Sequence, residues 1–250
     1  MENTFLYQIT AISFVVLSVV CLAFVIYALS YALKRSLLTE GAKKKVFYGV
    51  LLGMVIWLGF ISGLALSGFI ADFSTIPPRF ILLIFPLLIV ITAITFSKVF
   101  AEIIIHVPSS WLLHIQFFRF FVEILLWMLF IQEIIPVQLT FEGRNFDILV
   151  GITGPVVAYL VYHKKLLSEN VVFYWNIAGL LLLINIVGMA ILSTPSPFRM
   201  FMNEPANTIV VKFPFVLLPG ILVPLAYTSH FFSLRKMYLK KAGRMIRQEV

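Results

Sequence analysis

Ionisable residues sit deep inside hydrophobic sequence at one stretch of this chain, Lys98 to Glu123 (KVFAEIIIHVPSSWLLHIQFFRFFVE). Lys98, Glu102 and His106 are spaced i, i+4, i+8 and share one face of a helix. After the short break His106-Val107-Pro108-Ser109-Ser110, the next apolar run carries His114, Gln116, Arg119 and Glu123. Arg119 and Glu123 are again one helical turn apart, and Gln116 is three residues before Arg119. Two antiparallel helices joined by so short a turn would set Lys98 and Arg119 at similar depth, roughly 12 Å from the turn at 1.5 Å per residue. An ionisable group at the centre of a bilayer costs roughly 2.5 to 3.5 kcal/mol, so such a group is read as functional by default. The expectation is a charge network of Lys98, Glu102, Arg119 and Glu123, with Gln116 beside it. It could fix the register of the hairpin as buried ion pairs. It could also take up a proton, or a ligand's cationic group, at Glu102 or Glu123.

The four histidines, His106, His114, His163 and His230, form a second constellation, all expected at one end of the bundle. Three histidines with Glu102 could hold zinc and leave a position open for water. Histidines on facing helices could equally ligate haem. A polar ring at headgroup level is the plainer reading, since no HExxH, HxxxH or Cys-His spacing is present. At the other end, TFEGRNFDILVGITGP (residues 140 to 155) sets Glu142, Arg144 and Asp147 close in sequence, where they could pair locally or meet an outer ligand. Its glycines could expose backbone amides to the same ligand.

These residues are positioned by seven apolar runs, each near the ~20 residues that a bilayer core requires. They are about Phe5–Leu33, Val46–Ala71, Arg79–Ile105, Trp111–Ile135, Phe146–His163, Val171–Leu192 and Ile209–Phe232. The chain has 250 residues, 61% hydrophobic and 12% charged, with a mean hydropathy of +1.04. A soluble domain carries about 25% charge. The expected fold is therefore all-α: one seven-helix bundle over residues 1–232 in a cell membrane of the bacterial inner-membrane type, then a basic tail over 233–250. One cysteine, Cys21, leaves no intrachain disulfide to form.

The net charge of +8 sits in the loops, so it reads as a topology signal rather than as a nucleic-acid footprint. Alternate loops collect Lys34, Arg35, Lys43, Lys44, Lys45, Lys164, Lys165 and the six basic residues of the tail, 13 of the 19 Lys and Arg. Positive residues mark the cytoplasmic side, which puts the N-terminus outside and the C-terminus in the cytoplasm. Gly49, Gly53, Gly59 and Gly63 form two small-xxx-small pairs that permit close packing, within the chain or in a homodimer. Pro214, Pro219 and Pro224 predict a kinked last helix.

In helix count and topology the chain resembles the microbial rhodopsin architecture. The lysine that carries retinal in that family, mid-way along the last helix, is replaced here by Pro219-Gly220. Lys212 lies in the first turn of that run and Lys98 on another, so no retinal is expected and no function is carried over. The zinc-dependent seven-helix hydrolases of the alkaline ceramidase kind share the topology, but their histidine spacing is absent. Three classes of function remain. A proton-linked transporter or relay for a small molecule would use the Lys98–Glu123 network, and the interrupted fifth and seventh runs favour it. A ligand-sensing or accessory membrane subunit would use the outer loops without catalysis. A metal or haem enzyme would use the histidines. No catalytic residue can be assigned from the sequence.

Overall fold

A computed structural model describes the backbone of residues 4–248 and the side chains of residues 4–243. Glu2 and the side chains of Arg244 and Arg247, the far end of the expected tail, lie outside that range. Among the described residues the structure is helical, with no strand. Its first long helix, α1 (Phe5–Arg35), begins at Thr4, whose hydroxyl accepts the Tyr7 N–H at 3.2 Å. It stops at Ser36, whose N–H turns back to the carbonyls of Ala32 and Leu33. Helix α2 (Glu40–Leu66) starts six residues earlier than the apolar pattern suggests. Thr39 caps it and Glu40 stands in its first turn, where a carboxylate favours the positive end of the helix dipole. Lys43, Lys44 and Lys45 therefore project from a helix, not from a loop.

The third run is not one helix. A 3-10 turn (Arg79–Leu83) leads into α3 (Phe85–Phe96), and Ser97 then takes extended dihedrals (φ −63°, ψ 138°) before α4 (Lys98–His106). Serine is favoured immediately before a helix start, and here it divides a run that hydropathy alone would join. The fourth rod is α5 (Ser109–His114), a tighter 3-10 turn (Ile115–Phe117) and α6 (Phe118–Phe130). It ends where Glu133 adopts φ 56° and the N–H of Ile134 returns to Leu129 at 3.0 Å, a left-handed cap made without glycine. The fifth comprises α7 (Asp147–Ala158), which contains Pro155, and a π-helical turn (Tyr159–His163). The sixth is α8 (Glu169–Leu192). The last opens with a π-helical turn (Leu218–Leu222) and runs on as α9 (Val223–Gln248), straight through position 232.

Five of these helical segments are long and apolar enough to cross a membrane: Phe5–Arg35, Glu40–Leu66, Arg79–Phe96, Ser109–Phe130 and Glu169–Leu192. Asp147–His163 is apolar but shorter. The last run is shortened by prolines at its start and by the charged half of α9. The rods are unequally placed. In the apolar window of Ser109–Phe130, 56% is buried, against 6% for α2, so the fourth rod is central and α2 peripheral. α6 packs on α1 and α7, while α9 packs on α3, α4, α5 and α8. A Cβ added at Gly49, Gly53, Gly59 or Gly63 would meet nothing within 4 Å, so these glycines do not serve packing inside the described chain.

α2 is nonetheless tied to the last rod at one polar point. Pro224 has no N–H to give the carbonyl of Gly220, four residues earlier. Trp57 of α2 supplies the donor instead, its indole N–H reaching that oxygen at 2.7 Å. Ile61, one turn on, packs so closely over Gly220 that an added Cβ there would stand 2.6 Å from its Cδ1.

Candidate functional site

Arg119 of α6 is 2% exposed and lies at the centre of a buried polar network. Its Nε donates to Asp147 Oδ2 at 2.6 Å and its Nη2 donates to Asp147 Oδ1, a bidentate pair between α6 and the first residue of α7. Its third donor, Nη1, lies 3.0 Å from His230 Nε2 of α9. A guanidinium can only donate, so Nε2 accepts and the ring proton sits on Nδ1. That nitrogen faces Asn176 Oδ1 of α8 at 2.9 Å. Asn176 in turn donates to Val172 O at 2.7 Å and to Ser233 Oγ at 3.0 Å. Gly179 makes room for the imidazole, since a Cβ there would stand 2.8 Å from His230 Nε2.

Glu123, one turn beyond Arg119 on the same helix, is 1% exposed. Its hydrogen bonds come from the neutral amide of Asn145, whose Nδ2 lies 2.7 Å from each carboxylate oxygen. The same Nδ2 donates to Leu139 O at 3.0 Å, and Asn145 Oδ1 accepts the Asp147 N–H at 3.0 Å. Asn145 thus both starts α7 and braces Glu123. Gln116, two turns before Glu123, is fully buried and donates to Ala226 O of α9 at 3.2 Å.

The structure brings Arg119 and Glu123 together with Gln116 nearby on the same rod, and it leaves Lys98 and Glu102 outside the network. Lys98 is exposed. Glu102 accepts the Leu37 N–H at 2.8 Å and stands 3.6 Å from His106 Nδ1. The expected hairpin pairing is replaced by contacts with other rods: α4 packs on α1 and α9, and the α5–α6 rod packs on those two helices and on α7. Asp147 and His230, rather than Lys98 and Glu102, reach the guanidinium. Local pairing of the outer loop is likewise replaced by long-range contacts. Asp147 turns inward, Glu142 accepts from the Trp127 indole at 2.6 Å, and the Arg144 guanidinium lies 5.8 Å from the ring centre of Phe201.

The four histidines do not share one place. His106 Nδ1 bonds Glu102 O at 2.7 Å, and His114 Nδ1 bonds Ser110 O at 2.7 Å. His163 stacks on Tyr159 at 5.1 Å, and His230 is held by Arg119 and Asn176. Among the described residues no group of three or more His, Cys, Asp and Glu could hold a metal ion.

Beside the network lies an apolar cleft. Glu123 and Asp147 contribute to its wall, with Val122, Leu126, Leu183 and Phe215 among the apolar residues and Asn207 and Thr194 as further polar ones. Sequence reasoning passed over Asn145 and Asn207 as loop residues. The signal for Asn145 was its place two residues before Asp147 at a helix start, the spacing of an asparagine that hydrogen-bonds its own backbone.

Residues 76–238 match the model of the family described as Domain of unknown function (DUF8737). That match covers more than half of the chain, and the chain belongs to this family. The whole Arg119–Glu123–Asn145–Asp147–Asn176–His230 network falls inside it, and α1 and α2 fall outside. No curated protein and no solved structure matches the chain.

Proposed function

We propose that this family member is a multi-pass membrane protein with seven membrane-embedded rods, its N-terminus outside and its C-terminus cytoplasmic, and that it works as a proton-linked transporter or relay for a small molecule. Two short rods, Asp147–His163 and the π-helical start of the last one, complete the five long segments. Interrupted helices of this kind are where membrane proteins place binding sites. The basic residues of the 34–45 and 164–165 segments and of α9 support the orientation.

The observation that carries the reading is the position of Glu123. Two carboxylates, Glu123 and Asp147, stand near one guanidinium, and Arg119 commits its bidentate face to Asp147. His230 accepts from Arg119 and so is neutral in this arrangement. One further positive charge completes the balance, and Glu123, at the wall of the cleft with a neutral amide as its donor, is where it enters. Protonation there neutralises the site. Release of the proton leaves an uncompensated carboxylate that favours a different packing or a bound partner. The bidentate pair holds the helices in place while Glu123 cycles.

Purified protein in liposomes loaded with a pH-sensitive dye tests this. An imposed pH gradient should drive proton movement with the native chain, and Glu123→Gln should abolish it while leaving the elution profile and thermal unfolding near native. Equal proton movement in both proteins ends the reading.

A further inference from the structure

The cleft beside Glu123 carries a second polar feature that the network does not use. Asn207 is fully buried and lines this cleft. Its Nδ2 donates to Ala190 O at 3.1 Å and its backbone N–H to Ser193 O at 2.9 Å, but its Oδ1 has no partner. A buried acceptor left without a donor costs about 1 to 3 kcal/mol, so its donor is to be sought in what occupies the cleft. Thr194, on the same wall, spends its hydroxyl proton on Ile191 O at 2.6 Å. Glu123 and Asp147 offer acceptor oxygens as well. The polar positions of the cleft are therefore acceptors set into apolar walls, and the charges around them sum to one negative charge.

We propose that the cleft binds an apolar molecule bearing a protonated amine, whose ammonium takes the place of the proton at Glu123 while a further N–H or O–H of the molecule reaches Asn207 Oδ1. This rests on the reading that Glu123 exchanges a proton. An anion would meet two carboxylates, and a ketone or ether offers no donor to any of these acceptors. An alcohol offers the donor and lacks the charge. The charged groups around Glu123 are Arg119 on its own helix and Asp147 of α7, and Tyr227 and His230 of α9 stand beyond them, against that pair. Asp147 is held by Arg119, and His230 is turned toward Asn176, which leaves Glu123 to make the exchange. The step balances: the carboxyl O–H breaks, its proton goes to solvent, and the carboxylate pairs with the ammonium, one proton leaving for each amine bound.

The test uses the full chain in lipid nanodiscs, titrated with decylamine, 1-decanol and decyltrimethylammonium, with empty nanodiscs subtracted. Decylamine should bind saturably, tighten by up to about tenfold per pH unit as pH rises while Glu123 holds its proton, and release about one proton. 1-Decanol should bind far more weakly, and decyltrimethylammonium, which lacks N–H donors, should fall between them. Glu123→Gln should lose saturable binding, and Asn207→Ala should weaken it up to about tenfold. Equal binding of decanol and decylamine overturns the proposal, as does binding without proton release. If Glu123→Gln fails to fold, the decylamine and decanol titrations of the native chain still decide. Proton movement in liposomes without amine separates the two ideas. Glu123-dependent movement with no decylamine binding overturns this inference alone, and absence of both overturns the relay reading too.

Discussion

His230 and Gly179 are matched across the α8–α9 interface. The imidazole occupies the space in which a Cβ at position 179 would stand, 2.8 Å from Nε2. That nitrogen is also the one that accepts from Arg119. The glycine is thus a condition for the Arg119–His230 hydrogen bond, although it touches neither charge.

Gly179→Ala should therefore push the ring away from Arg119. Forcing a methyl into a filled interface costs typically 1 to 3 kcal/mol. A lower thermal midpoint and a changed His230 ring signal in NMR are expected, together with reduced proton movement in liposomes. Gly188→Ala, whose Cβ would meet nothing within 4 Å, serves as the control and should behave like the native protein.

The Trp57 indole supplies the donor that Pro224 withholds from Gly220. Trp57→Phe keeps most of the apolar contact and removes the N–H, leaving the carbonyl unpaired in a partly buried place. A loss of about 1 to 3 kcal/mol is expected by chemical denaturation in detergent. Adding Pro224→Ala restores a backbone donor, so the double variant should recover part of that loss. Equal stability of Trp57→Phe and the native chain would show that the bond carries nothing.

Much of this arrangement was legible in the sequence, and the parts that were not have physical causes. Composition and run length identify apolar helices because burial in lipid demands unbroken hydrophobic sequence. The break at Ser97 was hidden because a serine inside an apolar run reads equally as an interior residue bonding back to its own helix or as a helix start. Arg119 and Glu123 stood out as charges where charge is expensive. Their partners did not, because Asp147, Asn145 and His230 lie 22 to 111 residues away in sequence. Spacing along one helix constrains which residues share a face. It does not say which other rod that face meets, and here α4 turns to α1 and α9 while Asp147 enters from the end of a loop.

Acid sensitivity should appear first in the loop between α2 and α3. Hydrogen bonds from the hydroxyl (2.6 Å) and N–H (3.0 Å) of Ser74, and then the Arg79 guanidinium at 3.1 Å, hold the Asp72 carboxyl below the usual carboxylate range. A carboxyl whose folded value is depressed stabilises its fold above the unfolded value and loses that contribution as pH falls through the folded one. Amide hydrogen exchange of residues 72–79 should accordingly quicken on going from pH 5 to about pH 3, beyond the intrinsic change. Asp72→Asn should make exchange there faster at pH 5 and flatten this dependence. The effect is local, because the group is solvent-exposed and screened.

The Arg119–Asp147 pair offers the sharpest separation between holding the fold and moving a proton. Breaking a buried pair by removing one partner costs about 3 to 5 kcal/mol, chiefly because the other charge is left uncompensated. Asp147→Asn leaves Arg119 with Glu123 as its remaining carboxylate, one turn away on α6. Glu123 should then become the fixed counter-ion, and proton movement should stop even in molecules that remain folded. Arg119→Met with Asp147→Leu removes both charges and should be less destabilised than Asp147→Asn alone, measured as a double-mutant cycle in detergent. Loss of proton movement in Asp147→Asn with native-like stability would show that the pair serves the relay and not the fold. Retention of full proton movement in Asp147→Asn would remove Glu123 from the mechanism, since a carboxylate held by Arg119 cannot also cycle.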